Sequence, residues 1–285
     1  MNEASRWRIE IARRLAASYA EHPKVLMVAI GGSAARGEAD QWSDIDLSVT
    51  WDGEPDSAWL EQPPLAAEGT RFTWLQLAQA GPGIWLEQYF IGDLKADVAH
   101  LPYSWMEAEL ASVHQDLDLD SDKQETLEGM TDGIVLHGEE FGTAWKARLA
   151  EYPDALREAM VRHHLQFMPP WALSRQGLDR GDLLRYHEVL LPVLRNVLGV
   201  LGGLNRKYVV VNKVKRFDLW LERLPLKPPG AAENMRLLLR GEQFETAYPA
   251  LIEGLLALVE QELPEVDTAG ARGLFGFPMN PAGPA

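Results

Sequence analysis

The chain has 285 residues, of which 46% are hydrophobic, so it is long enough for one large domain or two ordinary ones. Lys and Arg number 27 against 42 Asp and Glu, and the net charge of −15 argues against a general nucleic-acid binder, whose affinity rests on neutralised phosphates. The absence of cysteine excludes a disulfide framework, a thiolate zinc site and a cysteine nucleophile. The charged N-terminus and the polar interruptions of the longest apolar run, 189–204, predict a cytoplasmic protein without a membrane span.

The first fifty residues predict two strands around a glycine turn. Residues 3–20 have the period of an amphipathic helix, with Asn2 as its N-cap. Residues 24–30 are rich in Val, Ile and Leu and predict a buried strand. A Gly-Gly turn then leads into a short helix at 33–36, and residues 44–51 form the second strand.

The next fifty residues predict an acidic loop over 52–69 and a hairpin over 84–101. Residues 70–79 between them could form a strand or a helix, and a strand fits better. The hairpin turns at Gly92-Asp93, a two-residue turn signal.

Counting back from that turn gives the register of the hairpin. Ile91 faces Leu94, so Gln88 lies opposite Asp97. Directly opposed residues share a face of the sheet, which puts Glu87 on the other face.

The second part of the chain is mostly helical. Residues 103–115 predict a helix, the acidic run 116–125 a solvated helix entry, and 133–140 a short connection. Further helices are expected at 139–150, 153–168, 182–201, 212–224, 231–240 and 244–262. The sequence thus predicts an α/β (α+β) domain with a mixed sheet over 1–118, a helical bundle over 119–265, and a flexible Gly/Pro-rich tail over 266–285.

Asp44 and Asp46 are the first chemical signal. Residues two apart in a strand share a face, so both carboxylates point one way while Ile45 and Leu47 point into a core. Adjacent carboxylates repel each other unless a cation lies between them. Mg²⁺ binds carboxylate oxygens and keeps positions for substrate phosphates, so the pair suggests a magnesium site.

The Gly31-Gly32-Ser33 turn is the second signal. Glycines let the backbone approach a phosphate, and a strand-to-helix turn presents several N–H groups at a positive helix end. The turn is not a P-loop, because no Gly-Lys-Ser/Thr follows it.

Together, GGSAARG and, after a gap, SDIDL resemble the signature of the DNA polymerase beta-like nucleotidyltransferase superfamily, here from Ser33 to Asp46. Ala35-Arg36-Gly37 and Ser43 are similar to its small bacterial members, the minimal, aminoglycoside- and lincosamide-type nucleotidyltransferases. The resemblance covers roughly residues 24–101. A fainter one over 204–213 resembles the helical C-terminal domain of several such proteins.

The resemblance implies a third carboxylate on a later strand. Asp97 is favoured, because the hairpin count puts it on the open face, and Glu87 is the rival. Asp44, Asp46 and Asp97 would then be both the catalytic residues and the metal ligands. They would hold Mg²⁺, with a two-metal site expected.

The same resemblance implies an NTP substrate, ATP by default, whose phosphates contact Gly32 and Ser33. Arg36 is a further phosphate candidate, with a salt bridge as the equal alternative. NMP would pass to a hydroxyl of a small molecule or protein, and pyrophosphate would leave.

A basic segment at 205–240 has nine basic residues against three acidic ones. On a helix over 212–224, Lys213, Arg216 and Trp220 would form one stripe. Lys213 is the best single candidate for a nucleotide contact. A solvated face that pairs with acidic residues is the alternative.

Two other functions stay open. One is a non-catalytic, nucleotide-binding regulatory or antitoxin-like module. The other is nucleic-acid end addition, which the acidic balance disfavours. The sequence leaves a homodimer possible and does not identify the acceptor.

Overall fold

The computed structural model describes residues 1–61, 72–81 and 83–278. The chain divides into two compact units. The first unit comprises Met1–Asp116 and Glu125–Glu151, and the second comprises Leu117–Gln124 and the residues from Tyr152 onward. The predicted boundary at 118 therefore needs correction, because a later segment returns to the first unit.

The first unit contains a six-stranded mixed sheet, as predicted. Its strands are β1 Val25–Ile30, β2 Ile45–Trp51, β3 Phe72–Gly81, β4 Ile84–Ile91, β5 Leu94–Pro102 and β6 Ile134–His137. Their order across the sheet is β3-β4-β5-β2-β1-β6. Neighbouring strands are antiparallel except β2 and β5, which run parallel.

The helices of the first unit accompany this sheet. Asn2 caps the first helix, since its side chain accepts a hydrogen bond from the Ser5 amide at 2.9 Å. Leu15 and Ala16 of that helix are buried in the same core as Val28 and Val49 of the sheet. The helices are α1 Glu3–Tyr19, α2 Gly32–Ala35, α3 Ser57–Leu60, α4 Tyr103–His114, α5 Ser121–Asp132 and α6 Glu139–Ala150, and the division between the units falls within α5.

Among the described strands, β6 is the one that the sequence did not predict. Residues 133–140 were expected to be a connection, but Ile134 pairs with Ile30 and Val135 with Ala29. This pairing ties residues 125–151 to the first unit. Four partly buried residues are too short to show a strand period, so the sequence has no local signal for β6.

The second unit is helical, as expected. Its core contains Leu190, Val197 and Leu201 of the long helix together with Leu251 and Leu255 of a later one. The helices are α7 Asp154–His164, α8 Pro170–Leu173, α9 Leu183–Leu204, α10 Phe217–Glu222, α11 Ala231–Arg240, α12 Phe244–Glu262 and α13 Ala269–Phe275, with a 3₁₀ turn at Leu178–Arg180.

Helix α9 is, in the described part of the chain, the one segment long and apolar enough to cross a membrane by length and composition. Within its most apolar window 67% of the residues are buried inside the structure, which is typical of a core helix.

Two predictions in the second unit are wrong. The helix expected over 212–224 is only Phe217–Glu222, because Arg216 before it has a left-handed backbone with φ of 52°. Lys213 and Arg216 therefore do not share a helical stripe with Trp220. The expected tail from 266 contains helix α13, whereas its last seven residues, 279–285, lie outside the described part.

A buried polar network lies on one face of β4 and β5. Glu87 is 1% exposed and accepts a hydrogen bond from the Tyr19 hydroxyl of α1. His100 Nε2 lies 3.1 Å from Glu87 Oε2, although misaligned for a hydrogen bond. Trp51 Nε1 donates to His100 Nδ1 at 3.1 Å, so the proton of the neutral ring is on Nε2. Burial raises the pKa of Tyr19, which keeps the hydroxyl a donor.

We expect Tyr19→Phe to lower the free energy of unfolding by about 1–3 kcal/mol, because it leaves a buried carboxylate with one hydrogen bond fewer. The matched control is Tyr152→Phe, since the Tyr152 hydroxyl is buried without a hydrogen-bond partner among the described residues. Urea denaturation followed by circular dichroism measures both. Equal losses in the two variants would show that the Glu87 contact contributes nothing.

Candidate functional site

Three carboxylates meet on the open face of the sheet. Asp44 directly precedes β2, Asp46 lies on β2, and Asp97 lies on β5. Asp46 and Asp97 are direct partners in the parallel pairing of the two strands. One carboxylate oxygen from each of the three residues lies within 4.8 Å of the others, and all three residues are partly buried.

The alternation of each strand places these side chains together. Ile45 and Leu47 are buried on β2, and Ala96 and Val98 are buried on β5, so the residues between them point to the other face. Asp97 therefore faces the same way as Asp46, as the parallel register requires.

The hairpin register is the one that the turn predicts. Ile91 pairs with Leu94, and Gln88 pairs with Asp97. Gln88 Nε2 also donates a hydrogen bond to Asp97 Oδ1 at 3.1 Å. The amide thus fixes one oxygen of the third carboxylate.

Glu87, the rival for the third carboxylate, lies on the opposite face. It pairs with Val98 and contacts Tyr19 and His100 in the buried network. Because Glu87 is 1% exposed, solvent and substrate do not reach its carboxylate.

The glycine turn packs directly against Asp46. The Gly31 amide donates to the Asp46 carbonyl at 2.8 Å. Gly32 has a φ of 62°, and a Cβ at this position would overlap the Asp46 carboxylate. Only glycine suits both the left-handed backbone and this close approach. Ser33 follows in the first turn of α2.

The two predicted basic contacts both have acidic neighbours. Arg36 Nε lies 3.2 Å from Glu38 Oε2, which is the salt bridge that the sequence left as the alternative. Lys213 belongs to the second unit, where its Nζ lies 3.4 Å from Asp122 Oδ1. Gly32 and Ser33 therefore lie in the same unit as the three aspartates, whereas Lys213 lies in the second, helical unit.

Lys95 supplies a positive charge that the sequence did not assign a role. Its Nζ lies 2.7 Å from Asp97 Oδ2, and its side chain is 36% exposed. The hydrogen bond with Asp97 raises the pKa of Lys95, and the charges of Asp44 and Asp46 add to this effect. The signal in the sequence was its spacing, because residues 95 and 97 share a face of one strand.

Arg8 is a second residue that the sequence reasoning missed. It is 3% exposed, and its Nε donates to the Ser43 carbonyl at 2.8 Å. Burial lowers the pKa of Arg8, while the charges of Asp40 and Asp44 oppose that shift. Arg8 thus anchors the chain one residue before Asp44. The sequence signal for Arg8 was its place in α1 directly before the buried Ile9, since a charged side chain is seldom fully buried without a partner.

The donor set of the cluster suits a hard divalent cation. Opposite ligands of an octahedral Mg²⁺ lie about 4 Å apart, close to the spread of the three oxygens. Asp44, Asp46 and Asp97 are therefore the residues that could hold such an ion. With Lys95 protonated, the four side chains leave a net negative charge that a cation would offset.

Comparison with known proteins agrees with this geometry. Residues 12–96 match the family model described as a nucleotidyltransferase domain. Residues 121–214 match a second model, described as a domain of unknown function (DUF4037). A search of curated protein sequences gives no match.

A solved structure with a similar chain is the nucleotidyltransferase-like protein from Exiguobacterium sibiricum. It is 14% identical, with a TM-score of 0.39, and the alignment covers 88% of this chain and 74% of that one.

The family match confirms the resemblance to nucleotidyltransferases. The chain carries a nucleotidyltransferase domain over residues 12–96, and this domain implies an NTP substrate. The predicted enzyme class and the α/β fold class followed by helices are confirmed as well.

We expect Gly32→Ala to weaken Mn²⁺ binding about 10- to 100-fold, the usual effect of disturbing residues that orient metal ligands. Gly53→Ala is the control, because Gly53 has a φ of 84° and no atom within 4 Å of the added Cβ. Both variants carry backbone strain of about 1–3 kcal/mol, but only Gly32→Ala displaces a carboxylate. Electron paramagnetic resonance of Mn²⁺ measures the affinity. Equal affinities in the two variants would contradict this role of Gly32.

We expect Lys95→Met to strengthen Mn²⁺ binding roughly three- to tenfold, because it removes a partly screened charge that competes with the cation for Asp97. Lys24→Met is the control, since Lys24 is an exposed lysine directly before β1. The same Mn²⁺ titration applies. Weaker binding by Lys95→Met would mean that Lys95 orients Asp97 rather than competes for it.

Proposed function

We propose that the chain catalyses Mg²⁺-dependent transfer of NMP, with ATP as the default donor, to a hydroxyl of a small molecule or protein. The observation that carries this proposal is the convergence of Asp44, Asp46 and Asp97 beside the Gly31-Gly32 turn. The turn and the first two aspartates lie within the nucleotidyltransferase match over 12–96, and Asp97 follows it directly. The three aspartates are the proposed catalytic and metal-binding residues.

The proposed step is an in-line displacement at phosphorus. The acceptor oxygen forms a bond to the α-phosphorus, the bond from that phosphorus to the bridging oxygen breaks, and pyrophosphate leaves. A bound divalent cation would offset the charge of the triphosphate. Asp97 is the proposed acceptor of the hydroxyl's proton, and the hydrogen bonds from Gln88 and Lys95 to its two oxygens fix the position of its carboxylate. Positioning and charge neutralisation dominate such reactions, so no side-chain nucleophile is needed.

The phosphate contacts rest on the glycine turn. Gly32 and Ser33 begin α2 and offer backbone N–H groups, and Ser33 adds a hydroxyl. Arg36 is a secondary candidate, because a triphosphate would have to displace its acidic neighbour Glu38. Lys213 lies in the second unit beside Asp122, and its nucleotide contact stays a prediction from the sequence.

The acceptor is proposed by chemical class only. The net charge of −15 disfavours a nucleic-acid acceptor, whose phosphates the chain would repel. A hydroxyl on a small molecule or protein has no such penalty.

A pyrophosphate-release assay with Mg²⁺, each NTP and a panel of hydroxyl-bearing acceptors tests the proposal. We expect Asp44→Asn, Asp46→Asn and Asp97→Asn each to lower turnover about 100-fold or more, because each misplaces the reacting groups. Asp93→Asn is the matched control, an exposed carboxylate in the hairpin turn.

Two outcomes would overturn the proposal. Full turnover in the Asp44 and Asp46 variants would mean that the reaction uses other residues. Thermal stabilisation by ATP and Mg²⁺, with no pyrophosphate released from ATP in the presence of any acceptor, would favour a nucleotide-binding regulatory module instead.

A further inference from the structure

A cleft of about 350 Å³ lies entirely within the second unit. It is formed by the start of α5, the end of α7, the middle of α9 and the segment after α9. The polar side chains that line it are Ser121, His163, His164, Arg195, Asn196 and Asn212. This volume is within the range of small-molecule sites, and nothing in the nucleotidyl-transfer proposal uses these residues.

Arg195 gives the cleft a positive charge that is not already neutralised. It is exposed on α9, and across residues 1–61, 72–81 and 83–278 no carboxylate lies within 4.0 Å of it. By contrast, Arg185 on the same helix lies 3.8 Å from Glu188. A guanidinium without a partner is suited to a carboxylate or phosphate group.

His163 and His164 also line the cleft. Their rings meet edge to face at 4.7 Å, and His164 is 7% exposed. Asn196 Nδ2 donates to the Gln166 carbonyl at 2.8 Å, which directs its Oδ1 toward His164 Nδ1 at 2.9 Å. Because an amide oxygen only accepts, His164 carries its proton on Nδ1. Its Nε2 is then set as an acceptor in the neutral ring, which burial favours by lowering the pKa.

Ser121 provides an unused donor. Its hydroxyl oxygen is buried and has no hydrogen-bond partner in the described part of the chain. Buried hydroxyls without a partner are uncommon in folded proteins. A rotation about χ1 would bring this hydroxyl to a bound group with an accepting oxygen.

Apolar side chains complete the lining. Leu119, Pro192 and Val211 contribute carbon surface next to the polar groups. These three residues can contact the carbon body of a small organic molecule.

We propose that this cleft binds a small organic anion, with Arg195 binding its carboxylate or phosphate group and Ser121 donating a hydrogen bond to it. The apolar lining takes the carbon body of the same molecule. All the lining residues except Leu119 lie within the match to the domain of unknown function over 121–214. The proposal therefore gives that domain a ligand-binding role, and it does not depend on the nucleotidyl-transfer proposal.

Isothermal titration calorimetry on the full chain, without NTP or metal, tests the cleft. The probes are phenyl phosphate and benzoate, which share an anionic group on an apolar ring, with benzyl alcohol as the neutral analogue. We expect at least one anion to bind, and at least tenfold more tightly than benzyl alcohol. The tighter of the two anions identifies the charged group.

Variants locate the binding. Arg195→Gln should weaken binding of that anion at least tenfold, and Ser121→Ala about threefold. Arg185→Gln, on the same helix, should leave it unchanged. In NMR spectra the ring signals of His163 and His164 should shift on titration.

Three results would overturn the proposal: no binding of either anion, equal binding of benzyl alcohol, or equal losses in Arg195→Gln and Arg185→Gln. Unchanged histidine signals at saturation would also overturn it, because binding would then lie elsewhere.

Discussion

The parallel pairing of β2 with β5 is the constraint on which the candidate site depends. It sets Asp46 directly beside Asp97 on neighbouring strands. Like charges at such positions destabilise a sheet, so the pairing needs compensation. Lys95 provides one positive charge at 2.7 Å from Asp97, which leaves the cluster with more negative than positive charge. A site that stays electronegative in the folded chain is prepared for a cation.

Asp97 and Glu87 lie on opposite faces of β4 and β5, one in the candidate site and the other in the buried network. Asp97 faces the open side with Gln88, while Glu87 faces the core with His100. A change of register would cost the buried Glu87 carboxylate its hydrogen bond from Tyr19. The network therefore supports the register that the turn sets, and that register decides where Asp97 lies. A one-residue slip of β4 would turn Glu87 to the open face.

The elements with a local signal were predictable from the sequence. A two-residue turn and strict alternation fix the hairpin register, so the pairing of Gln88 with Asp97 follows from counting. The remaining elements depend on distant partners. Strand β6 exists because it pairs with β1, about a hundred residues earlier, and four residues show no period of their own. The left-handed backbone at Arg216 cuts short the helix predicted from 212, and helix propensity does not reveal that break.

The side-chain contacts of the site were the least accessible to sequence reasoning. Spacing put Lys95 and Asp97 on one face, but the ion pair between them follows from side-chain conformations. The need for glycine at position 32 is clear only when the Asp46 carboxylate is seen against it. Sequence spacing thus predicts which face a residue occupies, whereas its contacts are set by the packing of neighbouring strands.

The basic segment at 205–240 shows why a local excess of charge does not by itself define an anion site. Several of its cations contact acidic groups of the same unit: Lys213 contacts Asp122, Arg206 contacts Asp154, and Arg236 contacts Asp218. An incoming anion must replace these partners, although exposed pairs contribute only about 0–1 kcal/mol each. Arg195 lies outside that segment and has no such partner among the described residues. Anion binding at Arg195 therefore displaces no acidic side chain, which is why a single unpaired arginine in a cleft is the stronger candidate.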